Sequence, residues 1–537
     1  MERLEKRFKI VIAEPIAEEG VNMLKYDSAF DVVSLKKDEK DRLKSEVSNA
    51  DALIVRSGVK ATKELIELGK KLKIIARAGA GYDNIDVETA SKNGIIVLTA
   101  PTGNSNGVAE LTIGLMLSLI RFIPKADSTM KQGKWEKNAL EGTELEGKTL
   151  GLVGLGKIGT KVAKICAAMG MNILVLVKNK NKARKLDFQC EFVETLEEML
   201  PKVDFLSLHV PLNSETKGLI GKTKLLKMKP NAVLINTSRG DVVDEQALYE
   251  ILKEKKIAGA AIDVYSEEPA SKEKFPFISL ENVIALPHLG ASTKESQART
   301  SRMICSNIME ALKNGIYLDA VNLPFAISEN EATKYKPLLN LAKKMARLIS
   351  QWVSDASKLK EITFTYNIRN IKNLDPLVLL SCEEILKSTT LDLNLINIKE
   401  KIEESNLKIN IKESQALQYE NSLKIELKYE SDNLYNVRGV SLFEIPKIVE
   451  IQNTGIEFIP SGTAILIRNK NVPGVIGAVA GYLGKNNINI SEVTLSKSEI
   501  GGDVFQFVGI DSEITDSQLN DIRALPNVLE ARKIAFD

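Results

Sequence analysis

A glycine-rich turn between an apolar strand and an apolar helix constrains this chain more than any other feature. The segment KTLGLVGLGKIG places Gly154, Gly156 and Gly159 after the run TLGLVGL and at the start of the stretch KIGTKVAKICAAMG. In that context the first glycine allows a tight turn, the second lets a pyrophosphate approach the backbone, and the third lets helix and strand pack closely. The helix N-terminus adds unpaired N–H groups and a partial positive charge. The sequence therefore predicts a doubly wound α/β fold that binds a dinucleotide.

Two α/β regions are expected in the first three hundred residues. In residues 8–100 the β-branched runs KIVIAEP, DALIVRS, KIIARAG and IIVLTAP alternate with charged helical stretches, which predicts a parallel sheet with crossover helices. A long apolar helix, from about Val108 to Met130, leads into a second unit at about 150–287 with the strands TLGLVGL, NILVLV, FLSLHVP, AVLINTS, GAAIDVY and VIALPH. The next segment, ASTKESQARTSRMICSNIMEALKNG, predicts a helix that returns to the first region. A discontinuous first domain would leave a cleft in which a substrate could be enclosed.

The composition changes after VNLPFA to Lys, Asn, Glu, Leu and Ile with few glycines, and periodicity there is mixed. The last 75 or so residues read as βαββαβ, a split ferredoxin-like domain, and a small sheet with an exposed edge often pairs with a second copy. At 537 residues the chain is too long for one core. The predicted domains are a first α/β domain at 1–106 and 291–322, a nucleotide-binding Rossmann domain at 107–290, an α+β domain at 323–459 and a ferredoxin-like domain at 460–537.

Charge and cysteine usage exclude several classes of protein. The 73 basic and 71 acidic residues give a net charge of +2, so nothing in the electrostatics favours nucleic acid. The four cysteines, Cys166, Cys190, Cys305 and Cys382, have no zinc-ligand spacing, so we expect no metal and a reduced, cytoplasmic protein. The start, MERLEKRFKIVIAEP, lacks an apolar stretch after its charges, and the apolar runs are too short to cross a bilayer.

Three residues at predicted strand ends carry candidate chemistry. Arg239, in INTSRGDVVDE, could grip a carboxylate bidentately and polarise the adjacent C2 oxygen. Glu268, in AIDVYSEEPA, and His288, in LPHLGAST, could form a carboxylate–imidazole pair, which fixes the imidazole tautomer and suits a base that works near neutral pH. Glu267 remains the weaker alternative to Glu268, because spacing alone cannot separate neighbours. The sequence thus favours a nicotinamide-dependent 2-hydroxy-acid dehydrogenase.

His209, in SLHVPL, is the only other histidine. It ends a predicted buried strand with no carboxylate placed beside it, so we expect a cofactor-side or packing residue rather than a second base. Asp204 and Asp263 also lie at strand ends, and Asp263 could hold the carboxamide of a nicotinamide.

The motifs GLVGLGKIG, HVPLNSETKGLI, NTSRGDVVDE, AIDVYSEEP and PHLGAST, with RAGAGYDNID and GNSNGVAELTIGLML upstream, are specific. On these motifs the chain resembles the D-isomer-specific 2-hydroxy-acid dehydrogenases. The domain order resembles the long members of that family, in which an intervening allosteric substrate-binding domain and a C-terminal ACT regulatory domain follow the catalytic core. The resemblance is weakest between about Ile327 and Tyr435.

The resemblance implies a cytoplasmic homo-oligomer, a dimer or tetramer, that oxidises 3-phospho-D-glycerate in the first step of serine synthesis. Arg239, Glu268 and His288 would be the catalytic trio, with His288 taking the C2 hydroxyl proton. The implied substrate-binding residues are Arg56 and Ser57 at the phosphate, Ala80, Gly81 and Asn104 at the carboxylate, and Lys137 from a neighbouring subunit. The implied cofactor-binding residues are Gly154, Gly156, Lys157, Ile158, Gly159, Val177, Lys178, His209, Asn213, Thr237, Ser238, Arg239, Asp263, His288, Leu289, Gly290 and Ala291.

The chain departs from the family after the strand NILVLV. Members that bind NAD carry an aspartate there for the adenosine ribose, whereas this chain has Val177 followed by Lys178, Asn179 and Lys180. A valine neither accepts hydrogen bonds from the ribose nor repels a 2′-phosphate, and the lysines could pair with that phosphate. The resemblance therefore implies NAD, while the residues leave NADP open.

The stretch NVPGVIGAVAGYLGKNNINI resembles the effector-binding part of ACT domains, which implies L-serine as an effector with Asn469 and Asn471 as ligands. Two rival functions stay open. One is a different hydroxy-acid reductase, acting on glyoxylate, hydroxypyruvate or 2-oxoglutarate. The other is a non-catalytic NAD(H)-sensing protein on the same fold.

Overall fold

The structure, a computed structural model, describes residues 7–36, 38–178, 186–328, 331–354, 357–369, 371–417, 419–497 and 499–536. The chain divides into two compact units. Unit 1 contains Met1–Leu72, Ala76–Asp86 and Thr99–Ser306, and unit 2 contains Lys73–Ile75, Val87–Leu98 and Asn307–Asp537.

The first α/β region alternates strands and helices as predicted. Its elements are β1 (Phe8–Ile12), α1 (Glu18–Lys25), β2 (Phe30–Ser34), α2 (Lys40–Val47), β3 (Ala52–Val55), α3 (Lys63–Leu68), β4 (Ile74–Arg77), α4 (Val87–Lys92) and β5 (Ile96–Leu98). In unit 1 three of the strands lie in the order β2-β1-β3, and β1 pairs in parallel with both β2 and β3. Strand β3 is wholly buried, as its continuous apolar run requires in a parallel sheet.

The glycine-rich turn lies in a second sheet, of seven parallel strands. Its elements are β6 (Thr149–Val153), α7 (Lys157–Ala168), β7 (Asn172–Leu176), β8 (Glu191–Val193), α8 (Leu196–Met199), β9 (Phe205–Leu208), α9 (Lys222–Leu225), β10 (Val233–Asn236), α10 (Glu245–Lys253), β11 (Gly259–Ile262) and β12 (Val283–Ala285). The order is β12-β11-β10-β9-β6-β7-β8, so the strand order reverses between β6 and β9. Ligands bind at the carboxyl ends of the strands beside such a reversal.

Buried side chains cover both faces of this sheet. Consecutive strand residues point to opposite faces, so Leu234 packs with Leu206 and Leu248 while Ile235 packs with Leu152 and Val162. Full burial of each such side chain contributes about 1.5–3 kcal/mol, which makes the sheet a rigid platform for the residues at its edge.

The predicted single helix from Val108 to Met130 is wrong, because the structure has two helices there. They are α5 (Ser105–Ile120) and α6 (Ile123–Lys131), bent by 63° at a break where Phe122 has a left-handed φ of 53°. Pro124 causes the break, since proline fits the first turn of a helix but not its interior. Among the described residues no single helix is long and apolar enough to cross a membrane, although this bent pair reaches the length and composition together.

The helix predicted after His288 is α11 (Lys294–Asn314). Its Ser301 hydroxyl donates to the carbonyl of Ala17 at 2.6 Å, and Arg299 donates through Nε to the carbonyl of Gly103 at 3.2 Å. These contacts with earlier parts of unit 1 are consistent with the predicted return of the chain.

Unit 2 continues with an α+β region. Its elements are α12 (Ala332–Trp352), β13 (Leu359–Asn367), α13 (Asp375–Leu386), α14 (Ile398–Glu404), β14 (Lys408–Glu413), β15 (Ser422–Tyr429), β16 (Leu434–Leu442), β17 (Ile445–Ile451) and β18 (Thr454–Phe458). The strands form one sheet in the order β14-β13-β15-β16-β17-β18, in which only the β13–β14 pair is parallel.

The C-terminal region has the predicted βαββαβ order. Its elements are β19 (Thr463–Lys470), α15 (Val475–Lys485), β20 (Ile490–Leu495), β21 (Asp503–Ile510), α16 (Asp516–Arg523) and β22 (Val528–Ala535), in an antiparallel sheet of order β20-β21-β19-β22. Helix α12 joins it to the preceding region of unit 2, because Arg347 donates to the carbonyl of Phe536 at 2.6 Å and Trp352 stacks edge-on against Tyr435 and Phe505. The mixed α/β fold class is confirmed.

Candidate active site

The three glycines of the turn between β6 and α7 have three different surroundings. Gly154 has a φ of +97°, and a Cβ there would clash with the carbonyl of His209. A Cβ at Gly159 would clash with the carbonyl of Gly154, so this glycine lets helix and strand pack closely. Gly156 has no atom within 4 Å of the position a Cβ would take. Its face is therefore open to a ligand.

Helix α7 presents unpaired donors beside that open face. Gly156 is its N-cap and supplies no side-chain cap, and the first helical hydrogen bond joins the N–H of Thr160 to the carbonyl of Gly156. Within the described residues no hydrogen bond uses the N–H groups of Lys157, Ile158 or Gly159. Free N–H groups at the positive end of a helix dipole bind phosphate oxygens. The turn therefore fits the pyrophosphate of a dinucleotide.

The turn after β10 that carries Arg239 is held by Asn236. The Asn236 side-chain oxygen accepts from the N–H of Ser238 at 3.1 Å and from its hydroxyl at 2.8 Å, and the amide nitrogen donates to the carbonyl of Arg239 at 2.9 Å. A Cβ at Gly240 would clash with the backbone of Tyr265. The Arg239 turn is thus locked against the loop that carries Glu268.

The Arg239 guanidinium is anchored on two edges. Its Nε donates to the carboxylate of Asp83 at 2.7 Å, and its Nη1 donates to the carbonyl of Ser238 at 2.7 Å. A Cβ at Gly81 would coincide with Nη2, so the guanidinium lies against the bare backbone at that glycine. In the described part of the chain, no hydrogen bond uses the N–H of Ala80 or Gly81. Together with Nη2, these donors can receive a carboxylate.

Glu268 and His288 form the predicted pair. The Nδ1 atom of His288 lies 2.8 Å and 3.0 Å from the two carboxylate oxygens of Glu268. A carboxylate can only accept, so Nδ1 carries the proton and Nε2 is the ring nitrogen left for a substrate. Burial raises the pKa of Glu268, but the hydrogen bond from His288 and its charge outweigh burial and bring that pKa below its usual value. Glu267 pairs with Lys274 instead, so Glu268 is the residue that faces the imidazole.

Asp263 holds the turn that presents His288. Its carboxylate accepts the N–H of Leu289 at 2.7 Å and the N–H of Gly290 at 2.9 Å. Burial raises the pKa of Asp263, and these two N–H groups oppose that rise. His288 has a φ of 57°, a left-handed conformation that costs a non-glycine residue about 1–2 kcal/mol and needs such support. Both oxygens of Asp263 already accept backbone N–H groups. Its contact with a carboxamide stays a prediction.

Glu245, at the start of α10, also braces the loop that carries Glu268. It accepts the N–H of Ser266 at 2.9 Å and the hydroxyl of the same serine. The neighbouring Tyr265 donates its hydroxyl to the carbonyl of Leu286 at 3.0 Å. Sequence reasoning missed Glu245, because the only signal for it is its position next to the Asp244 N-cap.

Two further arginines lie in this region, Arg77 beside Arg239 and Arg56 beside Arg77. Arg56 follows β3, and Glu14 holds its loop by accepting the N–H groups of Arg56, Gly58 and Val59 at 2.9–3.0 Å. Arg77, at the end of β4, has a buried Nε without a hydrogen-bond partner among the described residues. Burial and the charge of Arg239 lower the pKa of Arg77 to about 10, so it stays charged at neutral pH. Sequence reasoning missed Arg77, although it lies in the motif RAGAGYDN.

The remaining substrate-side predictions differ in their surroundings. Ser57 is exposed after β3, and Asn104 has a buried side-chain oxygen with no partner in the described residues. Lys137 is exposed in a short 3-10 turn at Lys137–Ala139, next to Trp135, which is 79% exposed. These three roles stay predictions.

His209 is packed under the glycine turn and is not a second base. Its Nε2 lies 2.9 Å from the hydroxyl of Ser207, and burial lowers its pKa to about 4. It is therefore neutral at physiological pH. Two further residues predicted to bind the cofactor already have partners. The hydroxyl of Thr237 lies 3.0 Å from that of Thr112, and the hydroxyl of Ser238 donates to the side-chain oxygen of Asn236.

At the adenosine end, Val177 follows β7 and is partly buried. Lys178 forms an exposed ion pair with Glu215, which reduces its availability to a phosphate. Asn179 and Lys180 lie outside the described residues. The side-chain oxygen of Asn213 accepts the N–H groups of Glu215 and Thr216 at 3.0 Å, so it shapes its own loop.

The two residues predicted to bind an effector are not alike. Asn469 is only 2% exposed, donates to the carbonyl of Lys470 at 2.7 Å and accepts from Gln506 at 2.6 Å. Asn471 lies in the turn before α15 and donates to the carbonyl of Glu499 at 3.2 Å. The structure therefore places Asn471 in a partly buried turn and Asn469 inside the sheet.

Comparison with known proteins identifies two regions of the chain. Residues 113–290 match the NAD binding domain of the D-isomer specific 2-hydroxyacid dehydrogenases, and residues 463–527 match the ACT domain. A D-3-phosphoglycerate dehydrogenase of Methanocaldococcus jannaschii is 36% identical over 98% of this chain and 99% of its own length. A hydroxypyruvate reductase of Thermotoga maritima is 43% identical, but over only 57% of this chain and 99% of its own length.

Among solved structures, the NAD+-bound 3-phosphoglycerate dehydrogenase of Entamoeba histolytica is similar to the catalytic part. It is 33% identical, covers 59% of this chain and 99% of its own length, and superposes with a TM-score of 0.50. The full-length match, the matched NAD binding domain and the geometry of Arg239, Glu268 and His288 agree. This chain belongs to the D-isomer specific 2-hydroxyacid dehydrogenases, in the full-length group that includes D-3-phosphoglycerate dehydrogenases and ends in an ACT domain.

Proposed function

We propose that this NAD-dependent oxidoreductase oxidises 3-phospho-D-glycerate to 3-phosphohydroxypyruvate. The observation that carries the proposal is the Glu268–His288 pair beside Arg239. Arg77 lies near Arg239, and Arg56 lies near Arg77. A hydroxy acid that also bears a phosphate has anionic groups at both ends, and this cluster has cations for both.

The residues of the site have separate tasks in this reaction. Arg239 holds the substrate carboxylate with Nη2, beside the N–H groups of Ala80 and Gly81. His288 accepts the C2 hydroxyl proton at Nε2, and Glu268 stabilises the imidazolium that results. The bound nicotinamide supplies the acceptor for the C2 hydride. In the reverse direction His288 returns the proton to the carbonyl oxygen.

The N–H groups of Lys157, Ile158 and Gly159, over the open face of Gly156, would hold the pyrophosphate. The other cofactor-side and substrate-side assignments made from the sequence belong to the same proposal. So do the four-domain division and the homo-oligomer. A cytoplasmic location is part of the proposal too, and the four unbridged cysteines support it.

The rival functions fit less well. A hydroxypyruvate or glyoxylate reductase needs no phosphate clamp, and the reductase that is 43% identical covers only the catalytic part. A non-catalytic NAD(H) sensor would have no need for the hydrogen-bonded Glu268–His288 pair.

The substrate assignment is tested by steady-state reduction of 3-phosphohydroxypyruvate with NADH by the purified full-length protein. We expect turnover of 3-phosphohydroxypyruvate well above that of glyoxylate at the same concentration. Failure to turn over 3-phosphohydroxypyruvate, together with brisk turnover of glyoxylate, would replace the proposal by the reductase function.

The ACT domain supports regulation by a small molecule, and we propose L-serine as its ligand, bound at the turn that contains Asn471. Calorimetry with the intact protein is the test. Heat of binding that Asn471→Ala abolishes, together with slower turnover at saturating serine, supports the proposal. No binding of serine would refute it, and binding without slower turnover would refute the regulation.

A further inference from the structure

Asp83 is a charged residue of the site to which the proposed reaction assigns no task. It lies in the glycine-rich segment RAGAGYDN, and its side chain is 48% exposed. Its carboxylate lies 2.7 Å from Nε of Arg239, although the two residues are 156 positions apart in the chain. The contact therefore depends on the tertiary structure.

The position of this contact on the guanidinium is informative. Arginine has five N–H donors in one rigid plane. Asp83 takes the Nε edge, and the carbonyl of Ser238 takes one donor of Nη1. Nη2 remains against Gly81, beside the unused N–H groups of Ala80 and Gly81. Two anchors fix the plane of the guanidinium and leave its third nitrogen for a ligand.

The charges around Asp83 agree with this arrangement. Arg77 and Arg239 repel one another, as do Arg77 and Arg56, whereas Asp83 and Glu14 attract Arg77. Glu14 is committed to the N–H groups of the Arg56 loop. Asp83 therefore offsets part of the repulsion between Arg77 and Arg239 from the Nε edge of Arg239, while Glu268 attracts Arg239 from the side of the catalytic pair.

We propose that Asp83 is a positioning residue that acts through Arg239, holding its guanidinium by Nε so that Nη2 meets the carboxylate of the hydroxy acid. The proposal deepens the proposed function and rests on it for the role of Arg239. Asp83 itself does not touch the substrate.

The test uses oxalate, which presents a carboxylate to Arg239 but carries no phosphate. Inhibition by oxalate, affinity for NADH and thermal stability are measured for the wild type, Asp83→Asn, Asp83→Ala and the control Glu88→Gln. Asp83→Asn keeps an oxygen that can accept from Nε, whereas Asp83→Ala removes both the acceptor and the charge. Glu88→Gln removes an exposed carboxylate whose ion pair, in the part of the chain that the structure describes, is with Lys92 on α4.

We expect Asp83→Ala to raise the inhibition constant of oxalate by roughly tenfold or more, because a displaced clamp loses its alignment. Asp83→Asn should lie between Asp83→Ala and the wild type, and NADH affinity and melting temperature should stay unchanged in both. Unchanged or tighter oxalate binding in Asp83→Ala would overturn the proposal, and so would an equal loss of NADH affinity. Wild-type turnover of 3-phosphohydroxypyruvate, measured alongside, tests the proposed function separately.

Discussion

Replacing Gly156 by alanine should separate folding from nucleotide binding. Gly156 has φ −75° and ψ −165°, which any residue can adopt, and a Cβ there has no neighbour within 4 Å. Alanine reduces the freedom of the unfolded chain, worth about 0.4–1 kcal/mol in favour of folding, and gives up part of the N-cap preference of glycine. The two effects nearly cancel, so the free energy of unfolding should change by less than about 0.5 kcal/mol.

The added methyl group should nevertheless weaken nucleotide binding. It occupies the open face that lies beside the N–H groups of Lys157, Ile158 and Gly159. A phosphate pushed away from these donors loses most of one charge-assisted hydrogen bond, about 1.5–3 kcal/mol. That loss corresponds to a fall in NADH affinity of roughly 10- to 100-fold.

The other two glycines provide matched controls. Gly154→Ala must accept a φ of +97° and a clash with the His209 carbonyl, and Gly159→Ala must displace the Gly154 carbonyl. Each should destabilise the fold by about 1–3 kcal/mol or more. Fluorescence titration with NADH and thermal unfolding, run on all three variants, give both quantities. Normal NADH affinity in Gly156→Ala would show that the open face of Gly156 does not receive the nucleotide. Instability equal to that of Gly154→Ala would show that Gly156 is needed for folding.

Three further predictions concern the base, a buried carboxyl group and the nucleotide. His288→Ala should lower turnover by at least the ~10²-fold typical of a lost general base and leave NADH affinity nearly intact; retention of most turnover would exclude the role. Burial raises the pKa of Glu383 to about 7. The folded protein therefore loses stability as pH rises through 7, because the buried carboxyl group ionises. Glu383→Gln should raise the free energy of unfolding at pH 8 by up to about 3 kcal/mol and leave it unchanged near pH 4. An unchanged difference between pH 4 and pH 8 in denaturant titrations would contradict this. The wild type should prefer NADH to NADPH, because NAD is its cofactor and Lys178 pairs with Glu215; a kcat/KM for NADPH equal to or above that for NADH would show that the basic residues after Val177 hold a 2′-phosphate.

Much of the fold follows from local patterns. Buried strands such as β3 and β5 are continuous apolar runs. The turn after β6 contains Gly154 and Gly159, where a side chain would clash with backbone carbonyl groups. Strand β8 was not predicted, because its three residues EFV are too short and too exposed to show a period. The break at Phe122 was also missed, although Pro124 is a local signal for it.

The candidate site was partly predictable because its members follow parallel strands. Arg239 comes after β10 and His288 after β12, and the carboxyl ends of parallel strands share one edge of the sheet. Asp83 and Arg77 were not recognised, since their partners lie far away in the chain. Asn469 was predicted to bind an effector, but strand β19 extends through it and buries its side chain.

The preference of the site for a phosphorylated substrate is tested most directly by comparing 3-phosphohydroxypyruvate with hydroxypyruvate, which differ only in the phosphate. The ratio of their kcat/KM values with NADH measures how strongly the cationic side chains, among them Arg56 and Arg77, favour the phosphorylated substrate in the transition state. We expect a ratio of at least ~100, about 2.7 kcal/mol, for the full-length wild-type protein. A ratio near one, or a preference for hydroxypyruvate, would contradict this expectation.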